Sequence, residues 1–322
     1  MAVTVHPIVL DTDIGTDVDD VVALVAALRT PEVELRAVTT VYVDTELRAR
    51  VVQAVLTTAG RRDIPVGAGI GAPLLGRDPL YWGGWEGEGL IEVGPARPGA
   101  SPTVGTLSGA FPHGVDLLIE TVLAQPGAVT VLAIGPLTNL AVALTREPRL
   151  AGAVKRIVIM GGLVQRRLDQ LDMGYVEHNI RCDPEAASIV LRSGAPITLV
   201  PLDVTTQSRL RRADLARIAG AGALGALAAD QVERYLRQHN RDWTHPHDAL
   251  ALAAIAQPGL LSTTPMRVQV ETQGQLTRAQ TVATLAPGGA EHEPGSARPI
   301  EVALQVDVAA FEGWLVRTLA TP

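Results

Sequence analysis

Short apolar runs alternate with longer helical patterns along most of this 322-residue chain, and that alternation most narrows the folds open to it. Strand-like runs fall at residues 7–10, 35–41, 130–134, 156–160 and 197–201. Helical patterns fall at 20–29, 46–59, 115–124, 137–145, 184–192, 223–238 and 248–256. Such an order implies βαβ units and a largely parallel sheet with helices on both faces. The runs VTVLAIG and RIVIMGG carry no polar alternation, so they read as strands buried on both sides. No repeat and no clear linker divides the chain. The expected fold is therefore α/β: a single domain over 1–322 with an open, mostly parallel central β-sheet flanked by helices, Rossmann-like in plan. In sheets of this kind ligands bind beyond the carboxyl ends of the strands. Gly135-Pro136, Gly161-Gly162 and Pro201-Leu202-Asp203 all fall at such ends.

So does a concentration of charge. Asp11, Asp13, Asp17, Asp19 and Asp20 lie within ten residues, in VLDTDIGTDVDDVVALVAAL, with no Lys or Arg among them. Ile8, Val9 and Leu10 lead in and an apolar helical pattern leads out, so the cluster occupies a strand-to-helix turn and not a solvated tail. Gly15 permits a sharp turn there. Carboxylates packed this closely raise one another's pKa unless a cation compensates. A hard divalent ion with oxygen ligands, Ca²⁺ or Mg²⁺, would do so. Helix capping accounts for one Asp or two, not five.

Composition sets outer limits. Hydrophobic residues make up 47% of the chain, enough for a sizeable core. The net charge of −7 offers no basic face for nucleic acid or an anionic membrane. A lone cysteine, Cys182, allows no intrachain disulfide and fits a cytoplasmic location. The opening MAVTVHPIVL lacks the pattern of a secretory signal, and no 18-residue apolar span appears. Aromatic residues are only 3%, which makes the four Trp residues conspicuous in a core that must be mainly aliphatic.

Further motifs carry chemistry. His245-Pro246-His247-Asp248-Ala249-Leu250 places a carboxylate at the start of a late helix, where an N-cap alone would also explain it. Glu177-His178-Asn179 precedes Asp183-Pro184, itself an N-cap and first helical turn. Read as extended chain, Glu177 and Asn179 share one face and His178 turns aside. A carboxylate beside an amide suits sugar hydroxyls. Residues 132–139, LAIGPLTN, form a strand-to-helix turn that can offer a backbone carbonyl to an ion. The Gly- and Pro-rich segment 70–102, with YWGGWEGEGL, and the polar segment 163–177 are long for plain connections and are candidate pocket walls. Residues 272–299 read as a hairpin with a disorder-prone loop.

Together DTDIGTDVDD (11–20), IGPLTNLA (134–141), VIMGG (158–162), EHNIRCDPEAA (177–187) and HDALA (247–251) resemble the nucleoside hydrolase family of the inosine–uridine-preferring type. The pieces keep the family's order across almost the whole chain. The resemblance implies Ca²⁺-dependent hydrolysis of the N-glycosidic bond of ribonucleosides to ribose and free base. It implies Asp13, Asp20, Asp248 and the Ile134 carbonyl as metal ligands, with Asp13 also the general base. It places Asp19 and Asn179 on ribose hydroxyls, Glu177 near the 5′ side and Asp44 close to the substrate. His247 takes the position of a proton donor to the leaving base, and Tyr235 supports that proton path. A homodimer or homotetramer is also implied.

The sequence departs from the family pattern in three places. The first motif is two residues longer than in most members, with Thr16, Asp17 and Val18 filling the interval; Asp17 is then either a further ligand or a turn residue, and Asp11 a structural strand-end residue. Trp85 stands where a His is usual, and either stacks on the base or anchors its loop. The segment 164–176 offers Arg166, Arg167, Asp169 and Asp172 in place of an Asn. His113, Trp243 and Cys182 read as structural, and His292 as solvated. Two other readings stay open on the residues alone: a non-catalytic nucleoside or ribose binder, and an Mg²⁺-dependent phosphohydrolase, though no phosphate-binding Lys follows a strand.

Overall fold

In the computed structural model, which describes residues 4–76, 81–92, 109–164, 176–286 and 298–322, the chain folds around one large sheet. The strands are β1 (His6–Thr12), β2 (Val33–Thr40), β3 (Val66–Ala68), β4 (Thr130–Ala133), β5 (Arg156–Met160) and β6 (Ile197–Val200), followed by β7 (Leu210–Arg211), β8 (Trp243–Thr244), β9 (Leu261–Val270), β10 (Thr281–Leu285) and β11 (Ile300–Val306). β7 and β8 pair by themselves; the other nine run β10-β9-β11-β6-β5-β4-β1-β2-β3. Every pairing from β3 across to β11 is parallel, and only β9 and β10 join antiparallel.

The strands are buried on both faces because each alternates its apolar residues between two layers. In β1, Ile8 and Leu10 enter one layer and Val9 the other. In β5, Val158 and Met160 enter the first, Ile157 and Ile159 the second. Helices Asp19–Arg29, Gly222–Gln238, His247–Ala256 and Val308–Leu319 cover one face. Gly114–Ala124, Thr138–Arg146 and Pro184–Leu191 cover the other. Among the described residues no helix is long and apolar enough to cross a membrane.

Two features of this plan position the site. The chain works outward from β1 to β2 and β3, then returns to lay β4 on the other side of β1. The order 3-2-1-4-5-6 thus reverses between β1 and β4, and a crevice opens at their carboxyl ends. Secondly, His247–Ala256 is buried from Asp248 to Ala256 and packs beside Asp19–Arg29, itself buried from Asp19 to Ala27. Alanine-rich faces allow this close approach. Both helices start at the crevice.

Several elements differ from expectation. Strand β2 stops at Thr40 because Tyr42 and Val43 turn the chain through left-handed backbone, with φ of 76° and 61°. The hairpin expected over 272–299 sits earlier, between β9 and β10, and residues 287–297 lie outside those described. Strand β9 gives no strand signal in the sequence because it contains Pro265 and only two of its residues are buried. The helix Val308–Leu319 was likewise not expected.

Candidate active site

A cavity of about 280 Å³ lies at the crevice. Of the expected site residues, all except Asp44 line it: Asp13, Asp19, Asp20, Trp85, Ile134, Glu177, Asn179, Tyr235, His247 and Asp248. Asp44 instead caps the helix Thr45–Thr58, its carboxylate accepting from Leu47 N at 2.9 Å.

The floor is acidic. Asp13 follows the end of β1, Asp19 and Asp20 open one buried helix, and Asp248 sits in the first turn of its neighbour. The positive ends of two helices therefore face one place. Carboxylate oxygens of Asp19, Asp20 and Asp248 lie within 4.8 Å of one another. Burial, then the other aspartates, hold all three well above the usual carboxylate range. The tightest trio thus contains Asp19 where the expected ligand set had Asp13. Three hard, buried oxygen donors that repel one another suit a divalent cation. Ile134, just beyond β4, also lines the cavity, and its carbonyl accepts from Asn179 Nδ2 at 2.8 Å.

The turn that carries these groups is held from behind. Arg48 is fully buried, and its guanidinium donates to the carbonyls of Asp13, Ile14 and Tyr42 and to the Thr16 hydroxyl. Its planar fork suits several acceptors at once. The Thr12 hydroxyl donates to Asp20 Oδ1. Gly15 adopts φ of 118°, open to glycine and strained for other residues, and a side chain at Gly135 would meet Asp13 at 2.9 Å. Asp11 is buried beneath, accepting from Thr39 Oγ1 at 2.5 Å and Asn139 Nδ2 at 2.7 Å, a structural position as expected. Burial pushes its carboxyl up to about 7.

The ribose-facing candidates are built differently from the extended segment that the sequence suggested. Residues His178–Cys182 form a short helix with Glu177 as its N-cap. The Glu177 carboxylate accepts from the backbone N–H groups of Gly162, Asn179 and Ile180 at 2.9, 2.7 and 2.9 Å. Because the chain coils here, His178 does not turn aside. It lines the cavity with Nε2 4.0 Å from Asp13 Oδ2 and meets the ring of Tyr42 edge-on. Cys182 packs against His178, and burial, with Asp13 and Glu177 nearby, pushes its thiol up to about 12.

The far end is aromatic. His247 Nδ1 lies 2.7 Å from Thr205 Oγ1, and burial, then His245, push its imidazole down to about 3. His245 lies between His247 and Trp243, tilted to the first ring and edge-on to the second, and Arg209 lies 4.2 Å over the Trp243 ring. Tyr235 hydrogen-bonds Asp17, and packs on His239 at 4.2 Å between ring centroids. His239 and Tyr81, which no sequence motif singles out, also line the cavity. His239 was legible as the helical partner of Tyr235, four residues on. Among the structural readings, His113 caps Gly114–Ala124 and Asp183 caps Pro184–Leu191. Arg166, Arg167, Asp169, Asp172 and His292 lie outside the described residues.

Comparison with known proteins places this geometry. Residues 8–313 match the family model described as inosine-uridine preferring nucleoside hydrolase. The chain is 35% identical over 325 residues to the non-specific ribonucleoside hydrolase RihC of Salmonella newport, covering 99% of each. It is 34% identical over 288 residues to the pyrimidine-specific ribonucleoside hydrolase RihA of Citrobacter koseri, covering 86% of this chain and 87% of that one. The solved plant nucleoside hydrolase PpNRh1 superposes with a TM-score of 0.80 at 28% identity, covering 98% of this chain and 99% of that one.

Proposed function

Since the chain belongs to the inosine-uridine preferring nucleoside hydrolase family and is a hydrolase acting on nucleosides, we propose that it cleaves the N-glycosidic bond of ribonucleosides with Ca²⁺ and a water activated by Asp13. The observation that carries this reading is the convergence of Asp19, Asp20 and Asp248 within 4.8 Å at the head of two buried helices, with Asp13 and Ile134 lining the same cavity. Membership removes the phosphohydrolase alternative.

Asp13, Asp20, Asp248 and Ile134 O would hold the ion, with Asp19 close enough to share it. A bound ion would supply a site for the attacking water and the ribose hydroxyls and would lower the pKa of that water. Asp13 takes the water proton, and its place at a strand end, its carbonyl held by Arg48, keeps it still. Asn179 and Asp19 position ribose hydroxyls. Glu177, committed to three backbone N–H groups, shapes the turn that presents Asn179. As the bond breaks, positive charge grows on the ribosyl ring, and the fixed carboxylates stabilise it without reorganising.

The base leaves toward the aromatic end. His247 is the candidate proton donor to it, with its Nδ1 2.7 Å from the Thr205 hydroxyl. Tyr235 bonds Asp17 and not His247, so it contributes to the wall of the base site and not to a proton path. Asp13→Ala tests the assignment: the variant should stay folded and lose turnover of every nucleoside by about 10²–10⁴-fold. Wild-type rates in the variant would refute it. Light scattering tests the dimer or tetramer suggested by membership.

A further inference from the structure

Two departures from the family pattern, the longer first loop and Trp85, meet in space. The Trp85 indole N–H donates to the Thr16 carbonyl at 2.9 Å. The Thr16 hydroxyl donates to Glu86 Oε1 at 3.1 Å and accepts from Arg48 Nη2 at 3.1 Å. Glu86 is buried and accepts from the Gly83 and Gly84 N–H groups at 2.7 Å each. The loop that carries Trp85 is thus seated on Thr16.

The next residue holds the opposite side of the same wall. Asp17 Oδ2 accepts from the Tyr235 hydroxyl at 2.9 Å, and its Oδ1 accepts from Val18 N at 2.5 Å. Both oxygens have protein donors, and Asp17 stands outside the trio of Asp19, Asp20 and Asp248. Tyr235 packs against His239 with the two rings tilted 32° to each other, and the His239 ring meets the Trp85 ring edge-on with centroids 6.2 Å apart. All three rings line the cavity.

We propose that Asp17 is a positioning residue for the leaving base and not a further ion ligand: it fixes Tyr235 and, with Thr16, ties the carboxylate loop to a wall of Trp85, Tyr235 and His239 on which the base stacks. This deepens the nucleoside hydrolase reading and rests on it. Rings give their stacking energy only when held at the right angle, so a lost anchor weakens the hold on the base and leaves the ribose and ion contacts in place.

The test is a double-variant cycle on the Ca²⁺-loaded protein with Asp17→Ala, Tyr235→Phe and both together, plus Asp17→Asn, whose one amide oxygen keeps an acceptor for the tyrosine while the charge and the acceptor for Val18 N–H are lost. Each single variant should raise the KM for nucleosides about tenfold with kcat within about threefold, and the double variant should raise it no further. Asp17→Asn should restore KM to within about threefold, and calorimetric Ca²⁺ affinity should stay within about threefold throughout. Inhibition by an iminoribitol that carries no base should not change. A tenfold loss of Ca²⁺ affinity in Asp17→Ala, effects that multiply in the double variant, or an Asp17→Asn as impaired as Asp17→Ala would overturn the proposal. A wild type that turns over no nucleoside would count against the hydrolase reading alone; nucleoside affinity by calorimetry then replaces KM, with the same supporting and overturning outcomes.

Discussion

Asp19 and Asp248 open two helices that lie side by side in the core, and their carboxylates, with that of Asp20, come within 4.8 Å of one another. Nothing about capping requires that convergence. Each helix would be satisfied by one acidic residue in its first turn. Three buried carboxylates in one place lower the stability of the fold in the absence of a cation and make a site for one in its presence.

That arrangement predicts how stability varies with pH. Asp19, Asp20 and Asp248 have folded-state pKa values held well above the unfolded value by burial and mutual repulsion. The folded state therefore binds more protons, so the ion-free protein loses stability as pH rises from near the unfolded carboxylate pKa through the folded ones. Added Ca²⁺ should raise the melting temperature, and the rise should be larger at pH 8 than at pH 5, because binding requires the deprotonated groups. At a hundredfold excess over Kd the gain is about 2.7 kcal/mol. Thermal melts with chelator and with Ca²⁺ at the two pH values check this; an equal shift at both would contradict it.

Arg48 should be costly to replace. Arg48→Met leaves the carbonyls of Asp13, Ile14 and Tyr42 without their buried donor, at a cost of about 3 kcal/mol or more. Arg48→Lys should recover little, since an ammonium cannot reproduce the fork. Urea midpoints measure both, and a midpoint unchanged in Arg48→Met would show that the clamp carries no stability.

Cys182 should be inert in the native state. Its thiol, pushed up to about 12, is almost wholly protonated at pH 8, and the side chain is buried. Alkylation by iodoacetamide should be slow in the folded protein and prompt in denaturant. Native labelling as fast as that of a small free thiol would contradict the assigned environment.

Much of this site could be read from the sequence, and the exceptions have physical causes. Asp13, Asp20, Asn179 and Asp248 stand in motifs that fall at strand ends and helix starts, and a parallel sheet brings such ends together. Asp44, expected close to the substrate, caps the helix Thr45–Thr58 and is not among the residues that line the cavity, a distinction that only the fold draws. An extended period turns His178 aside, but Glu177 caps a helical turn there and the coil brings His178 to the cavity. The sheet's parallel core was legible from strands apolar on both faces, such as β5. Strand β9, mostly exposed and carrying Pro265, gave no such signal.

The most direct test of the central claim is release of reducing sugar from inosine, adenosine, guanosine, uridine and cytidine, each with Ca²⁺ and with a chelator. The account predicts turnover of at least one nucleoside that chelator abolishes and Ca²⁺ restores, with base choice read from the relative rates. Turnover indifferent to the chelator, or none on any of the five while the folded protein binds Ca²⁺, would contradict it.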